Sequence, residues 1–141
     1  MRYHHFAVCV IIVASGLIQG QQNWEETRRL AEAQHEIVML LIKKGEFDKV
    51  LGAANEIFQL SFPQDQEHLL LMEVEMLVDA LVHHQRIALA HGIVDSALLC
   101  AVTAKSKAQL YREKGYLYKK EGNAEEALKS FEKSLELEKK E

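Results

Sequence analysis

The stretch from Ser106 to Glu138 constrains this chain more than any other. Leu110, Tyr111, Gly115, Leu117 and Tyr118 recur at helical spacing, and Gly122-Asn123 interrupts them. Ala124, Ala127, Leu128, Phe131 and Leu135 then restore the period. Two amphipathic periods about a glycine turn predict a pair of antiparallel helices, 106–120 and 123–138, packed along these stripes. Asn123 is placed to cap the second helix, and Glu126 stands at the capping-box position. Glu125 to Lys129 and Glu136 to Lys140 are i,i+4 ion pairs in the favourable orientation.

The same pattern recurs upstream. A helix is expected to start at Asn23-Trp24 and to bury Leu30, Ile37, Val38 and Leu41. It is expected to end at Lys43-Lys44-Gly45. A second helix, 46–62, carries Val50, Leu51, Ala54, Ile57 and Phe58 and stops at Pro63, the only proline. Helices three and four, 66–84 and 87–104, are apolar nearly all round, the pattern of segments buried on several sides. Asp95 and His91 within the fourth argue against a membrane span. The expectation is an all-α domain over residues 21–141, built as about three stacked hairpins.

Residues 1–20 stand apart. Arg2 is followed by an uncharged run, Phe6–Ile18, too short for a comfortable span of about 20 apolar residues. Small residues follow at Ser15, Gly16 and Gly20. This reads as a secretory signal cut near Gly20, giving a secreted or periplasmic protein, or else an uncleaved N-terminal anchor. Cleavage would remove Cys9 and leave Cys100 without a disulfide partner.

The spacing of Tyr111, Gly115, Tyr118, Ala127 and Phe131, with Gly122 at the turn and Ser134 beyond it, resembles the tetratricopeptide repeat. Tyr111, Lys114 and Lys139 depart from that family's tryptophan, leucine and proline. Residues 31–63 are similar in a degenerate way: Gly45 takes the turn, Pro63 lies near the end, and Val50 and Ala54 replace the alanine and phenylalanine. Gly45 and Gly122 lie 77 residues apart, nine more than two repeats of 34, so the middle unit is longer than standard or distorted. The resemblance implies a right-handed α-solenoid whose first helices line a groove for a peptide or partner helix. The implied groove residues are Gln109, Arg112, Tyr116, Lys119 and Lys120. The charged outer face of the last helix, from Glu125 to Glu136, suggests the finished end of an array.

Net charge is −4, which offers no nucleic-acid footprint. Residues 21–100 are net acidic and 101–141 net basic, so an acidic protein or peptide partner is expected at the last hairpin. No nucleophile elbow, P-loop, dinucleotide-binding or H-E-x-x-H motif occurs, and no cofactor or catalytic residue is expected. Cys100, in an apolar helix, reads as a buried, inert thiol. Two alternatives stand beside the binding module. One is self-association, a homodimer through helices 66–104. The other is a metal or small-molecule site using His84, His91 and Asp95, although zinc needs at least three good ligands and a turn near His84–Arg86 breaks their alignment.

Overall fold

The computed structural model describes the backbone of residues 4–140 and the side chains of residues 23–140. The side chains of the expected 1–20 leader lie outside the described residues. Six α-helices follow one another: α1 His4–Lys44, α2 Phe47–Phe58, α3 Glu67–His83, α4 Ile87–Cys100, α5 Ala104–Lys120 and α6 Ala124–Glu138. A 3-10 turn, Gln64–Gln66, precedes α3. The all-α expectation holds. Each odd helix packs on the next even one, making three hairpins, and α1, α3 and α5 touch in a row.

One backbone device closes all three hairpins. Gly45 N–H donates to the Ile42 carbonyl and Glu46 N–H to Leu41, at 3.0 and 2.9 Å. Gln85 and Arg86 repeat this to Val82 and Leu81, and Gly122 and Asn123 repeat it to Lys119 and Tyr118. The pivot residue is left-handed each time, with φ of 75° at Gly45, 59° at Gln85 and 76° at Gly122. This is the helix-ending turn in which glycine avoids a steric cost of about 1 kcal/mol. The middle turn uses glutamine, so it carries no glycine signal. The intervals 45 to 85 and 85 to 122 are 40 and 37 residues, so the excess over two standard repeats is shared between both intervals.

Equivalent positions about these turns show how three dissimilar sequences build one shape. Seven residues before and nine after the pivot stand Val38 and Ala54, Val78 and Val94, and Gly115 and Phe131. The first four are buried in the main core. A Cβ built on Gly115 would meet the Phe131 ring at 2.7 Å, so the large residue has moved to the second helix and the first has given way. Each pair fills its own contact with different residue types, the smaller residue standing on the second helix in the first pair and on the first helix in the last.

Several boundaries and faces differ from expectation. The first helix does not start at Asn23. It runs through it, and the Asn23 carbonyl accepts the Thr27 hydroxyl at 2.9 Å. No proline interrupts the segment before Trp24, so nothing breaks the hydrogen-bond ladder there. Leu30 and Ile37 are exposed, and the buried edge of α1 is Val38 and Ile42. Helix α2 ends at Phe58, four residues early, since the residue before a proline is driven out of helical geometry and the chain turns ahead of it.

Helix α4 ends at Cys100 because the buried Glu67 carboxylate captures the chain that follows. It accepts the Val102 N–H, the Thr103 N–H at 3.1 Å and the Thr103 hydroxyl at 2.5 Å. Thr103 in turn caps α5 by accepting the Ser106 N–H at 3.1 Å. One carboxylate thus joins the start of α3 to the α4–α5 corner.

In α6 the Asn123 cap forms, accepting the Glu126 N–H at 3.2 Å, but Glu126 turns to Lys129 rather than back to Asn123. The ion pairs Glu125–Lys129 and Glu136–Lys140 are present at 2.9 and 2.8 Å. The stripe facing α5 is Ala127, Ser130, Phe131 and Ser134. Leu128 and Leu135 instead stand on the outer face, 58 % and 54 % exposed, so that face is not wholly charged. The reason is the small radius at Gly115: α6 approaches α5 through serine and alanine, which rotates the leucines outward.

Candidate functional site

The face shared by α1, α3 and α5 carries two clefts side by side. Between α1 and α3, Trp24, Ala31, Phe62, Leu69, Met72 and Met76 line an apolar cleft of about 370 Å³. Trp24 and Phe62 meet edge to face at 5.9 Å, which fixes both rings at its wall. Met72 and Met76 are 53 % and 45 % exposed and form its rim. At its floor, His35 Nδ1 meets both Glu73 carboxylate oxygens, at 2.8 and 3.0 Å, and ties α1 to α3.

The second cleft lies between α3 and α5, is about 170 Å³, and is lined by Leu71, Glu75, Gln109, Arg112, Glu113 and Tyr116. Three of the five residues expected from sequence, Gln109, Arg112 and Tyr116, are therefore brought together. Tyr116 is half exposed and its ring meets Phe131 edge to face at 5.3 Å, so it spans the α5–α6 seam. Lys119 and Lys120 are exposed near the end of α5, beyond the lining of this cleft.

The electrostatics differ from the sequence expectation. Arg112 is engaged by Glu138 at the far end of α6. The facing helix α3 contributes Glu75 to the cleft lining, and Asp79 on the same helix lies near enough to act on Glu113. The Glu113 carboxyl is held above its ordinary value, first by burial and then by the neighbouring charges of Asp79 and Glu75, with only Lys120 acting the other way. The basic surface that would steer an acidic partner is thus not assembled, because Glu75 and Glu113 line the cleft, Asp79 acts on Glu113 from nearby, and the cleft's arginine is turned aside. A raised acid stabilises the fold while protonated and loses that advantage as pH rises through the folded pKa. Glu113→Gln is therefore expected to raise the melting temperature at pH 7, with the gain vanishing near about pH 4, where both side chains are neutral. Thermal melts at the two pH values check this.

The candidate metal ligands are dispersed. His91 Nε2 meets Glu121 at 2.9 Å and its ring lies 4.4 Å from Tyr118. Asp95 holds Lys114 at 2.7 Å, and His84 lies against Phe47 and His83. No group of three metal-ligating side chains occurs among the described residues. The Asp95–Lys114 pair also explains one departure in the last hairpin: a lysine fits where a leucine is usual because α4 supplies a carboxylate. Cys100 is half-buried, not fully buried as expected, beside Phe58, Leu70 and Val102.

The apolar faces of α3 and α4, open from sequence to a self-association role, are largely consumed within the chain. Leu70, Leu77, Leu81, Ile93, Val94 and Ala97 all lie in the core. Among the described residues no helix is long and apolar enough to cross a membrane.

Sequence reasoning missed Trp24, Phe62, Met72 and Met76 as one surface, and Glu75, Asp79 and Glu113 as another. A signal existed on α3. Met72 with Met76, and Glu75 with Asp79, are interleaved i,i+4 pairs, which marks one ridge of that helix as exposed and mixed rather than core.

Comparison with known families falls on the last hairpin. Residues 108–141 match the tetratricopeptide repeat family. No curated protein and no solved structure matches the chain. The matched segment contains the Gly115–Phe131 contact, the left-handed Gly122 turn and the Asn123 cap described above. The match thus falls on the hairpin formed by α5 and α6, the last of three hairpins in an all-helical stack, and supports a relationship of that hairpin to the tetratricopeptide repeat family.

Proposed function

We propose that this protein is an exported interaction module, an adaptor or assembly factor, that binds a peptide segment or partner helix along the face of α1, α3 and α5. The observation that carries the reading is the apolar cleft at Trp24, Phe62, Met72 and Met76. It lies on the first-helix face of the stack, and α3 separates it from the cleft at Tyr116 of the matched repeat. Aromatic side chains held by neighbours and flexible methionines at a rim are the residue types that anchor partners. A binding role rather than catalysis also accords with the family match.

Capture from the envelope fraction tests this with three baits: the full chain, Met72→Glu with Met76→Glu, and Leu99→Glu. Leu99 is 89 % exposed and lines neither cleft, so it serves as the control. A partner kept by the first and third baits but lost from the second supports the reading. An identical set on all three counts against it. N-terminal sequencing of the same preparation tests export: a start near Gln21 supports a cleaved leader, and an intact Met1 in a soluble interior fraction opposes it.

A further inference from the structure

We propose that the groove selects a basic amphipathic segment, whose apolar side chains enter the Trp24–Phe62–Met72–Met76 cleft while its lysines or arginines lie over Glu75, Asp79 and Glu113. The inference rests on the groove reading above and names the chemistry of the partner.

The first argument is the pairing of charges on this face. Its arginines are already engaged: Arg28 by Glu25 at 3.0 Å, and Arg112 by Glu138. Glu36 on α1, Glu75 and Asp79 on α3 and Glu113 on α5 have no ion-pair partner among the described residues. Against these four carboxylates the face sets Lys119 and Lys120 at the end of α5, of which Lys120 acts on Glu113, so an excess of negative charge remains that a ligand's cations would neutralise, and like charges held close together disfavour the free state.

The second argument is spacing. Met72, Glu75, Met76 and Asp79 alternate along the exposed ridge of α3, so apolar and acidic positions are neighbours about 5–6 Å apart. A partner that places an apolar side chain next to a cation at helical spacing meets both at once. An acidic segment of the same apolarity would set carboxylates against Glu75 and Asp79. A purely basic segment would leave the cleft unfilled. The exposed position of Glu75 and Asp79 makes the attraction sensitive to salt.

Trp24 supplies the readout, since it is the chain's only tryptophan and lines the apolar cleft. The full chain is titrated with three tryptophan-free synthetic peptides: an amphipathic Leu/Lys helix, its Leu/Glu counterpart, and an oligolysine of equal charge. The Leu/Lys peptide is expected to shift Trp24 emission and to bind at least roughly tenfold more tightly than either other peptide at low salt. The triple variant Glu75→Gln, Asp79→Asn, Glu113→Gln is expected to abolish the preference for Leu/Lys over Leu/Glu. It should stay folded, since Glu75 and Asp79 are exposed and the half-buried Glu113 is replaced by a neutral amide of the same shape, and far-UV melting confirms this. Equal binding of Leu/Lys and Leu/Glu, or an undiminished preference in the triple variant, overturns the charge inference and leaves the groove reading intact. Oligolysine binding as tightly as Leu/Lys overturns it too, since the apolar cleft is then not engaged. Silence of Trp24 toward all three peptides removes the groove reading itself.

Discussion

Gly115→Val is expected to cost about 3 kcal/mol of stability, an effect read by chemical denaturation and concentrated in the C-terminal hairpin. A Cβ at this position would stand 2.7 to 2.9 Å from three atoms of the Phe131 ring. That ring has little freedom to retreat, being half-buried and met edge-on by Tyr116 at 5.3 Å. Valine adds two further methyl groups and a stiff χ1 to the clash. Alanine is the finer test. Its helix propensity favours it over glycine by roughly 1 kcal/mol, while overpacking costs roughly 1–3 kcal/mol, so Gly115→Ala should be mildly destabilising. In a Phe131→Ala background the clash is gone and only the propensity gain remains, so the sign should reverse. The double-mutant cycle measures this. A Gly115→Ala change that destabilises equally in both backgrounds would show that the ring contact is not the reason for the glycine.

The second large effect is expected at Glu67. Glu67→Ala removes the acceptor for the Val102 and Thr103 N–H groups and the Thr103 hydroxyl, at a cost of about 2 kcal/mol. The figure lies toward the low end for three lost hydrogen bonds because Val102 is exposed and water can reach its N–H. Glu67→Gln should lose nearly as much, since its amide nitrogen presents a donor where two donors already converge. The pH dependence follows from the same bonds. Burial pushes the Glu67 carboxyl up, but hydrogen bonds from Thr103, Val102 and Ser106 outweigh it, leaving its pKa below the ordinary 4.5. A depressed acid contributes stability that is fully present above the unfolded value and is lost as pH falls through the folded one. The gap between the native chain and Glu67→Ala should therefore close as pH drops below about 4.5. Denaturant curves at a series of pH values measure it, and a gap that stays constant to the lowest pH would show that packing, not the carboxylate, matters here.

Glu67 also marks where sequence reading loses its reach. Helical periodicity continues past Cys100 to Ala104, so the boundary of α4 read too late. Nothing local stops that helix; a carboxylate 35 residues earlier does. The middle turn was placed correctly between 84 and 87, but its left-handed pivot was not named. Gly45 and Gly122 were readable because glycine is the usual left-handed residue, whereas Gln85 adopts φ 59° under the constraint of the two helices it joins. The candidate site was legible in part. Gln109, Arg112 and Tyr116 were placed by their spacing on α5. Its charge was not, because Glu75 and Asp79 come from another hairpin and Arg112 is engaged by α6.

By itself the sequence determined what depends on neighbours within a turn or two: the all-helical class, the pairing of α5 with α6, the Asn123 cap, the glycine turns and the repeat at 108–141. These follow from backbone geometry and local periodicity, which a single segment carries entire. Only the tertiary structure decided which apolar residues face outward. Leu128 and Leu135 were displaced when α6 closed on Gly115, and Met72 and Met76 were left at the rim when Val74 and Leu77 took the core. Burial is settled by the shape of what packs opposite, and charge at a groove by which helices converge there. Neither is a property of one helix alone.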